Sequence, residues 1–96
     1  MTAAELGPAQ ARMLATQAKA LSDPTRLRIV DVLRRVAPLA LCQCELTPLF
    51  EMSQQALSKH LRILSDARVI ASERCGVWTY YSYAPGGLDE IRSWMA

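Results

Sequence analysis

Cys42 and Cys44, separated by one residue, are the most chemically pointed feature of this 96-residue sequence. Two thiolates at that spacing can chelate one soft ion once the local backbone opens, and the same pair can close to a disulfide. The third cysteine, Cys75, stands beside Gly76, and the sole histidine is His60. A second group is polar: Gln54, Gln55, Ser58, Lys59 and Arg62 offer donors suited to base edges and phosphates. Taken alone, that group reads equally well as a solvated helix face. His60, next to a leucine stripe, can contact a phosphate or orient a neighbour, and such a histidine is more often structural than a metal ligand. A lone cysteine such as Cys75 fits the ordinary use of the residue as a small hydrophobe.

The elements that must position these groups follow from periodicity and punctuation. Residues 1–9, with Gly7 and Pro8, read as a frayed arm, and residues 10–96 as one folded domain. Ala11, Leu14, Ala18 and Leu21 recur at helical spacing over 11–21. Ser22 and Asp23 before Pro24 supply a cap and a first-turn proline, so a second helix spans 24–36 and stops before Pro38. An extended segment at 39–41 leads to a short third helix, placed from Cys44 or Glu45 to Glu51 because Pro48 is tolerated only in a first turn. Ser53 caps a fourth helix whose Leu57, Leu61 and Leu64 share one face, opposite the polar group. Residues 69–70 and 77–83 are β-branched and aromatic around Gly76, a two-stranded hairpin in which Trp78 is expected to face the core. After Pro85, Gly86 and Gly87, the spacing of Leu88, Ile91 and either Trp94 or Met95 predicts a short last helix.

Four helices, a hairpin and a helix form the order of a winged helix-turn-helix: mainly α, with a β-hairpin wing. A short helix, a tight turn at 51–52 and a capped helix with a polar face can lay that face in a DNA major groove. Net charge is only +2, from 11 Lys and Arg against 9 Asp and Glu, so distribution rather than bulk charge must carry DNA affinity. A chain this short buries a modest fraction of its surface, which makes a second copy the default expectation. Leu14, Leu21, Leu88, Ile91 and Trp94 on the terminal helices are the candidate interface. The longest apolar stretch, residues 36–42, is far below the roughly 18 residues of a membrane span. Residues 1–12 supply neither a basic nor an apolar leader region, so a cytoplasmic location is expected. In that reducing compartment, metal or redox chemistry is expected of the cysteines rather than a disulfide framework. No thioredoxin-like pattern surrounds the pair, and no enzyme is expected.

Four stretches together resemble the ArsR/SmtB family of bacterial metal-responsive repressors and cover most of residues 20–83. They are Ala20-Leu21-Ser22-Asp23-Pro24-Thr25-Arg26-Leu27-Arg28-Ile29, Leu41-Cys42-Gln43-Cys44-Glu45-Leu46, Ser53-Gln54-Gln55-Ala56-Leu57-Ser58-Lys59-His60-Leu61 and Arg74-Cys75-Gly76-Val77-Trp78-Thr79-Tyr80-Tyr81. The resemblance implies a homodimer built from the first and last helices, and operator DNA bound by the fourth helix and wing. It also implies release of DNA when an inducer binds. DNA-contacting residues would be Ser53, Gln54, Gln55, Ser58, Lys59, His60 and Arg62, with Arg74 from the wing.

Cys42 and Cys44 resemble the Cys-x-Cys of the arsenic-sensing branch, with Arg26 and Arg28 as candidates to lower their thiol pKa values. Inorganic As(III) takes three sulfurs, and the position where that branch has its third cysteine is Thr47 here. Three resolutions stay open. Cys75 is the third ligand; or two thiolates suffice for an organoarsenical such as methylarsenite; or an exogenous thiol or a cysteine of the other subunit completes an arsenite or antimonite site. A cadmium- or lead-responsive repressor and a thiol redox-switch repressor are the alternatives. The cadmium and lead site lacks an N-terminal Cys or His, and a last-helix zinc site would have only Asp89 and Glu90.

Overall fold

The computed structural model describes residues 5–96. Residues 1–4 of the expected arm lie outside the described residues, and Pro8 and Ala9 belong to the first helix, α1, Pro8–Ala20. Pro8 sits at the start, where its missing N–H is no loss, so the helix begins three residues before the periodicity suggested. Helix α2 is Pro24–Val36, with the Asp23 carboxylate accepting the Arg26 amide at 3.1 Å. Strand β1, Leu41–Cys42, runs directly into α3, Gln43–Leu46. Helix α4 is Gln54–Asp66, capped by the Ser53 hydroxyl, which accepts the Ala56 amide at 3.1 Å. Strands β2, Ile70–Cys75, and β3, Trp78–Tyr83, lead to α5, Asp89–Met95.

Three expectations change. The third helix is not a run from Cys44 to Glu51: α-helix covers four residues and gives way at Thr47–Leu49 to a 3-10 turn that accommodates Pro48 in its first positions. The hairpin is not isolated, because β1 adds to it in a three-stranded antiparallel sheet of order β1-β3-β2. Leu41 pairs with Tyr81 and Cys42 with Tyr80, which fixes the cysteine segment to the root of the wing. Trp78 is not in the core but 53% exposed, because at the outer end of the hairpin no helix covers either face. Gly76 makes the reversal at φ 64°, the sign a two-residue hairpin turn requires.

The core is the leucine face of α4, Leu57, Leu61 and Leu64, closed by Ile29 and Leu33 of α2, Leu46 of α3, and Phe50, Val69 and Ile70. Each fully buried side chain of this kind contributes about 1.5–3 kcal/mol relative to an exposed one. After α4, Arg68 takes φ 63°, the Val69 amide donates to Leu64 O at 3.1 Å and the Arg68 amide to Ser65 O at 3.0 Å. That pair of bonds is a Schellman closure with arginine where glycine is usual, and it turns Val69 into the core. Gln17, buried on α1, donates through Nε2 to Ala67 O at 3.2 Å and Gly87 O at 3.4 Å, tying α1 to the end of α4 and the approach to α5. Gly87 is required there: a Cβ would stand 2.5 Å from Val69 O.

Candidate functional site

The helix-turn-helix is built from α3, the 3-10 turn and α4. Phe50 anchors the turn, buried at 3% exposure with the Arg28 guanidinium 5.0 Å from its ring centroid, a cation–π contact that joins α2 to the turn. Beyond it, Ser53, Gln54, Gln55, Lys59 and Arg62 are exposed, and Ser58 and His60 are half-buried. The leucines face inward and the donors outward, so α4 presents a polar face as its spacing predicts. Not every member of that face is free to meet a ligand. The Ser53 hydroxyl caps its own helix, and His60 Nδ1 lies 3.2 Å from an Arg26 amine. A guanidinium only donates, so Nδ1 accepts and the ring carries its proton on Nε2 while this contact holds. His60 therefore ties α4 to α2, with Asp23 Oδ2 4.0 Å from the same nitrogen.

Arg26 also donates through Nε to Ala20 O at 2.6 Å, closing the end of α1. Arg26 is thus engaged with α1 and His60, and Arg28 with Phe50. On the wing, Arg74 is exposed and donates through Nε to Gly76 O at 3.2 Å, which braces the tip while leaving the outer nitrogens of the guanidinium available.

The cysteine pair occupies the junction of β1 and α3. Cys42 is 3% exposed and is the residue that caps α3: its sulfur accepts the Cys44 amide at 3.1 Å, and its own amide donates to Glu45 Oε1 at 2.8 Å. This is a capping box with a cysteine in the place of serine or threonine. The turn holds the two Cα atoms 5.1 Å apart, inside the range a disulfide spans, and the sulfurs of Cys42 and Cys44 are bonded. The sequence argues against a disulfide framework and leaves a Cys42–Cys44 disulfide as the redox alternative; the cap geometry brings both sulfurs to one point, where reduction would leave two soft donors side by side.

Gln43, between them, is half-buried and reaches α4: its Nε2 donates to Ser58 Oγ at 2.7 Å and to Gln54 O at 3.2 Å. Sequence reading passed over this residue because nothing in Cys-x-Cys spacing singles out the middle position.

Cys75 is exposed at the outer end of β2. From Cys42 it lies two strands across and two residues along the sheet. Sheet spacings make that roughly 12 Å between Cα atoms, too far to share one ion within a single chain. Thr47, in the other position considered for a third donor, gives its hydroxyl to Gln43 O at 2.8 Å. Among the described residues no three Cys, His, Asp or Glu side chains converge on a metal site. Cys42 and Cys44 are the two sulfurs that the fold brings together.

On the terminal helices the expected interface residues divide. Leu14 is buried, Leu21 and Leu88 pack on the core and Ile91 is half-buried, so these serve the chain's own packing first. Trp94 is 60% exposed and borders an apolar groove with Leu6, Ala11, Leu14, Ala15 and Ala18. Met13 and Met95 extend the exposed apolar surface of α1 and α5, and Met13 was missed because its position breaks the expected stripe. Among the described residues no helix is long and apolar enough to cross a membrane.

Comparison with known proteins agrees with this geometry. Residues 23–72 match the family described as "Bacterial regulatory protein, arsR family". The chain is 46% identical over 63 residues to an arsenical resistance operon repressor of Bacillus subtilis, covering 66% of this chain and 58% of the relative. It is 38% identical over 77 residues to the arsenic resistance transcriptional regulator ArsR1 of Pseudomonas putida, covering 80% of this chain and 56% of the relative. The chain thus spans little more than half the length of either. A crystal structure described as a possible transcriptional regulator for arsenical resistance superposes with a TM-score of 0.73 at 30% identity, over 83% of this chain and 80% of that one. With its winged helix-turn-helix and a family match over half its length, the chain belongs to the arsR family of bacterial regulatory proteins.

Proposed function

We propose that the protein is a cytoplasmic, homodimeric transcriptional repressor. In this reading it occupies operator DNA through α4 and the wing and leaves it when trivalent arsenic binds the reduced Cys42 and Cys44. The observation that carries this reading is that Cys42 is both a candidate sulfur ligand and the cap of α3. Each As–S bond forms as an arsenic-bound hydroxide departs with the thiol proton as water, so two such exchanges consume both thiols without changing oxidation state.

The chain's own part is structural. An ion seated between the two sulfurs parts them and draws the Cys42 sulfur from the Cys44 amide, so the first turn of α3 loosens beside α4. A coupling of about 2–3 kcal/mol corresponds to about 30–150-fold weaker DNA binding, enough for a switch. Two sulfurs suit an organoarsenical, whose carbon already fills one position; arsenite or antimonite would need a further thiol.

On the DNA side, Gln54 and Gln55 are placed to read adenine edges, Arg62 and Lys59 to meet guanine or phosphate, and Arg74 to meet phosphate from the wing. The exposed Met13, Trp94 and Met95 support pairing of two copies through α1 and α5. A two-fold dimer then reads half-sites about one helical turn, roughly 34–36 Å, apart.

Cysteine substitution tests this reading. Fluorescence anisotropy on promoter DNA should show Cys42→Ser and Cys44→Ser binding DNA as the parent does but not releasing it with methylarsenite, and Cys75→Ser releasing it normally. Normal release by both Cys42→Ser and Cys44→Ser contradicts the assignment. A redox-switch repressor is the second reading, favoured by the bonded sulfurs. It predicts release by peroxide without any arsenical and recovery with dithiothreitol, hydrogen peroxide taking two electrons and two protons from the dithiol to give water.

A further inference from the structure

We infer that Gln43 is the positioning residue through which the state of the cysteine pair reaches the DNA-reading helix; the inference rests on the thiol-responsive reading above. Among the described residues, the hydrogen bonds that join α3 to α4 are the two donated by Gln43 Nε2, to Ser58 Oγ and Gln54 O. The two acceptors lie one turn apart at the start of α4, one a side chain and one backbone, so a single amide fixes both the rotation and the distance of that turn.

The root of this side chain is held by the cysteine segment itself. Gln43 is the first residue of α3, and its carbonyl accepts the Thr47 hydroxyl at 2.8 Å. On its two sides the Cys42 amide is held by Glu45 and the Cys44 amide by the Cys42 sulfur. Seating an ion between two sulfurs that now touch must part them, and the backbone that takes up the change is Gln43. The side chain cannot keep two bonds to α4 from a rotated Cα. Leu46, Leu57 and Leu61 are fully buried in the core and hold α3 against α4 independently of this polar link.

Ser58 gives the link a chemical consequence at the DNA face. While its oxygen accepts from Gln43, its single O–H is directed away and available as a donor; without Gln43 the hydroxyl rotates freely. Thiol capture therefore acts on α4 by releasing its first turn and by removing one oriented donor, with the helix itself intact.

The test uses Gln43→Met, which keeps length but has no donor, and Gln43→Lys, which keeps a donor of similar reach. Anisotropy on promoter DNA is measured for each reduced protein with and without methylarsenite, and calorimetry checks that the arsenical binds. Wild type should lose about 30–150-fold in DNA affinity on binding the arsenical. Gln43→Met should bind the arsenical with the same stoichiometry yet change DNA affinity less than about 5-fold, and Gln43→Lys should recover most of the wild-type ratio. The wild-type ratio in Gln43→Met overturns the inference.

A readout without DNA separates this inference from the functional reading. Amide resonances of Gln54 and Ser58 in the free wild-type dimer should shift on methylarsenite binding, and those of Gln43→Met should not. If they shift in wild type while DNA affinity stays constant, the relay stands and the repressor reading falls. If they stay fixed with the arsenical bound, the relay falls whatever the DNA measurement shows.

Discussion

A cysteine sulfur is a weaker acceptor than the oxygen of serine or threonine, which is why cysteine is not a usual cap and why Cys42 did not announce the start of α3 in the sequence. Its value lies in the second chemistry: the atom that holds the helix start also binds soft ions and oxidises. Asp23 shows the ordinary form of the same device. By accepting the Arg26 amide, its carboxylate is held below its usual value of about 3.8, helped by the nearby Arg26 charge. The folded-state value is the lower one, so this stabilisation is present at neutral pH and fades as pH falls through and below about 4. Asp23→Ala should therefore lower the melting temperature at pH 7 by an amount that shrinks toward pH 3, and Asp23→Asn, a neutral cap, should fall between Asp23→Ala and wild type at pH 7. Lys59 is exposed on the outer face of α4, as a residue that meets phosphate must be. Lys59→Ala should weaken DNA binding uniformly across operator sequences and reduce the slope of log affinity against log salt by about 1, read from titrations at several salt concentrations. Caps of standard type and the donors of α4 were legible from residue type alone. Gln43 was not, because its role depends on which helix lies 11 and 15 residues further along the chain.

At the scale of elements, legibility followed the strength of local signals. Helices α2 and α4 start where Asp23-Pro24 and Ser53 place them, because a capping side chain and a following amphipathic run agree. Strand β1 has two residues; the local pattern predicts extended backbone at 39–41, but the pairing with Tyr80 and Tyr81, nearly forty residues away, leaves no local sign. The α3 region misled for a related reason: Pro48 bars the α-helical bonds of that turn but not those of a 3-10 turn, and the apolar spacing continues across the change. The end of α4 carries a testable strain. Arg68 holds a left-handed conformation that costs an L-residue about 1–2 kcal/mol, while glycine there loses about 0.5–1 kcal/mol through its freer unfolded chain. Arg68→Gly should be stabilising by about 0.5–1 kcal/mol, a rise of a few degrees in melting temperature. The opposite case is Leu61→Ala, which removes a fully buried side chain from the centre of the α4 face and should cost about 2–5 kcal/mol in denaturant unfolding.

For the whole molecule, the cysteine pair, the polar face of α4 and the apolar surface of α1 and α5 lie on one small core, and the sheet joins the first of these to the wing. The winged helix-turn-helix was legible from element order. The surface left for a partner was not, because the stripe that helical spacing identifies is spent largely inside the chain: Leu14 is buried and Leu21 and Leu88 pack on the core. Trp94 remains, and Trp94→Glu should shift the protein toward monomer in sedimentation equilibrium and weaken operator binding with it, since a monomer engages one half-site. The central claim, that two thiolates on this chain control DNA binding, is tested most directly by anisotropy of the reduced protein on its own promoter DNA during parallel titrations with methylarsenite and arsenite. The account predicts that methylarsenite releases the DNA at one equivalent per chain, and that arsenite does so only when a further thiol is supplied. DNA that stays bound after calorimetry shows the arsenical seated on Cys42 and Cys44 would contradict it.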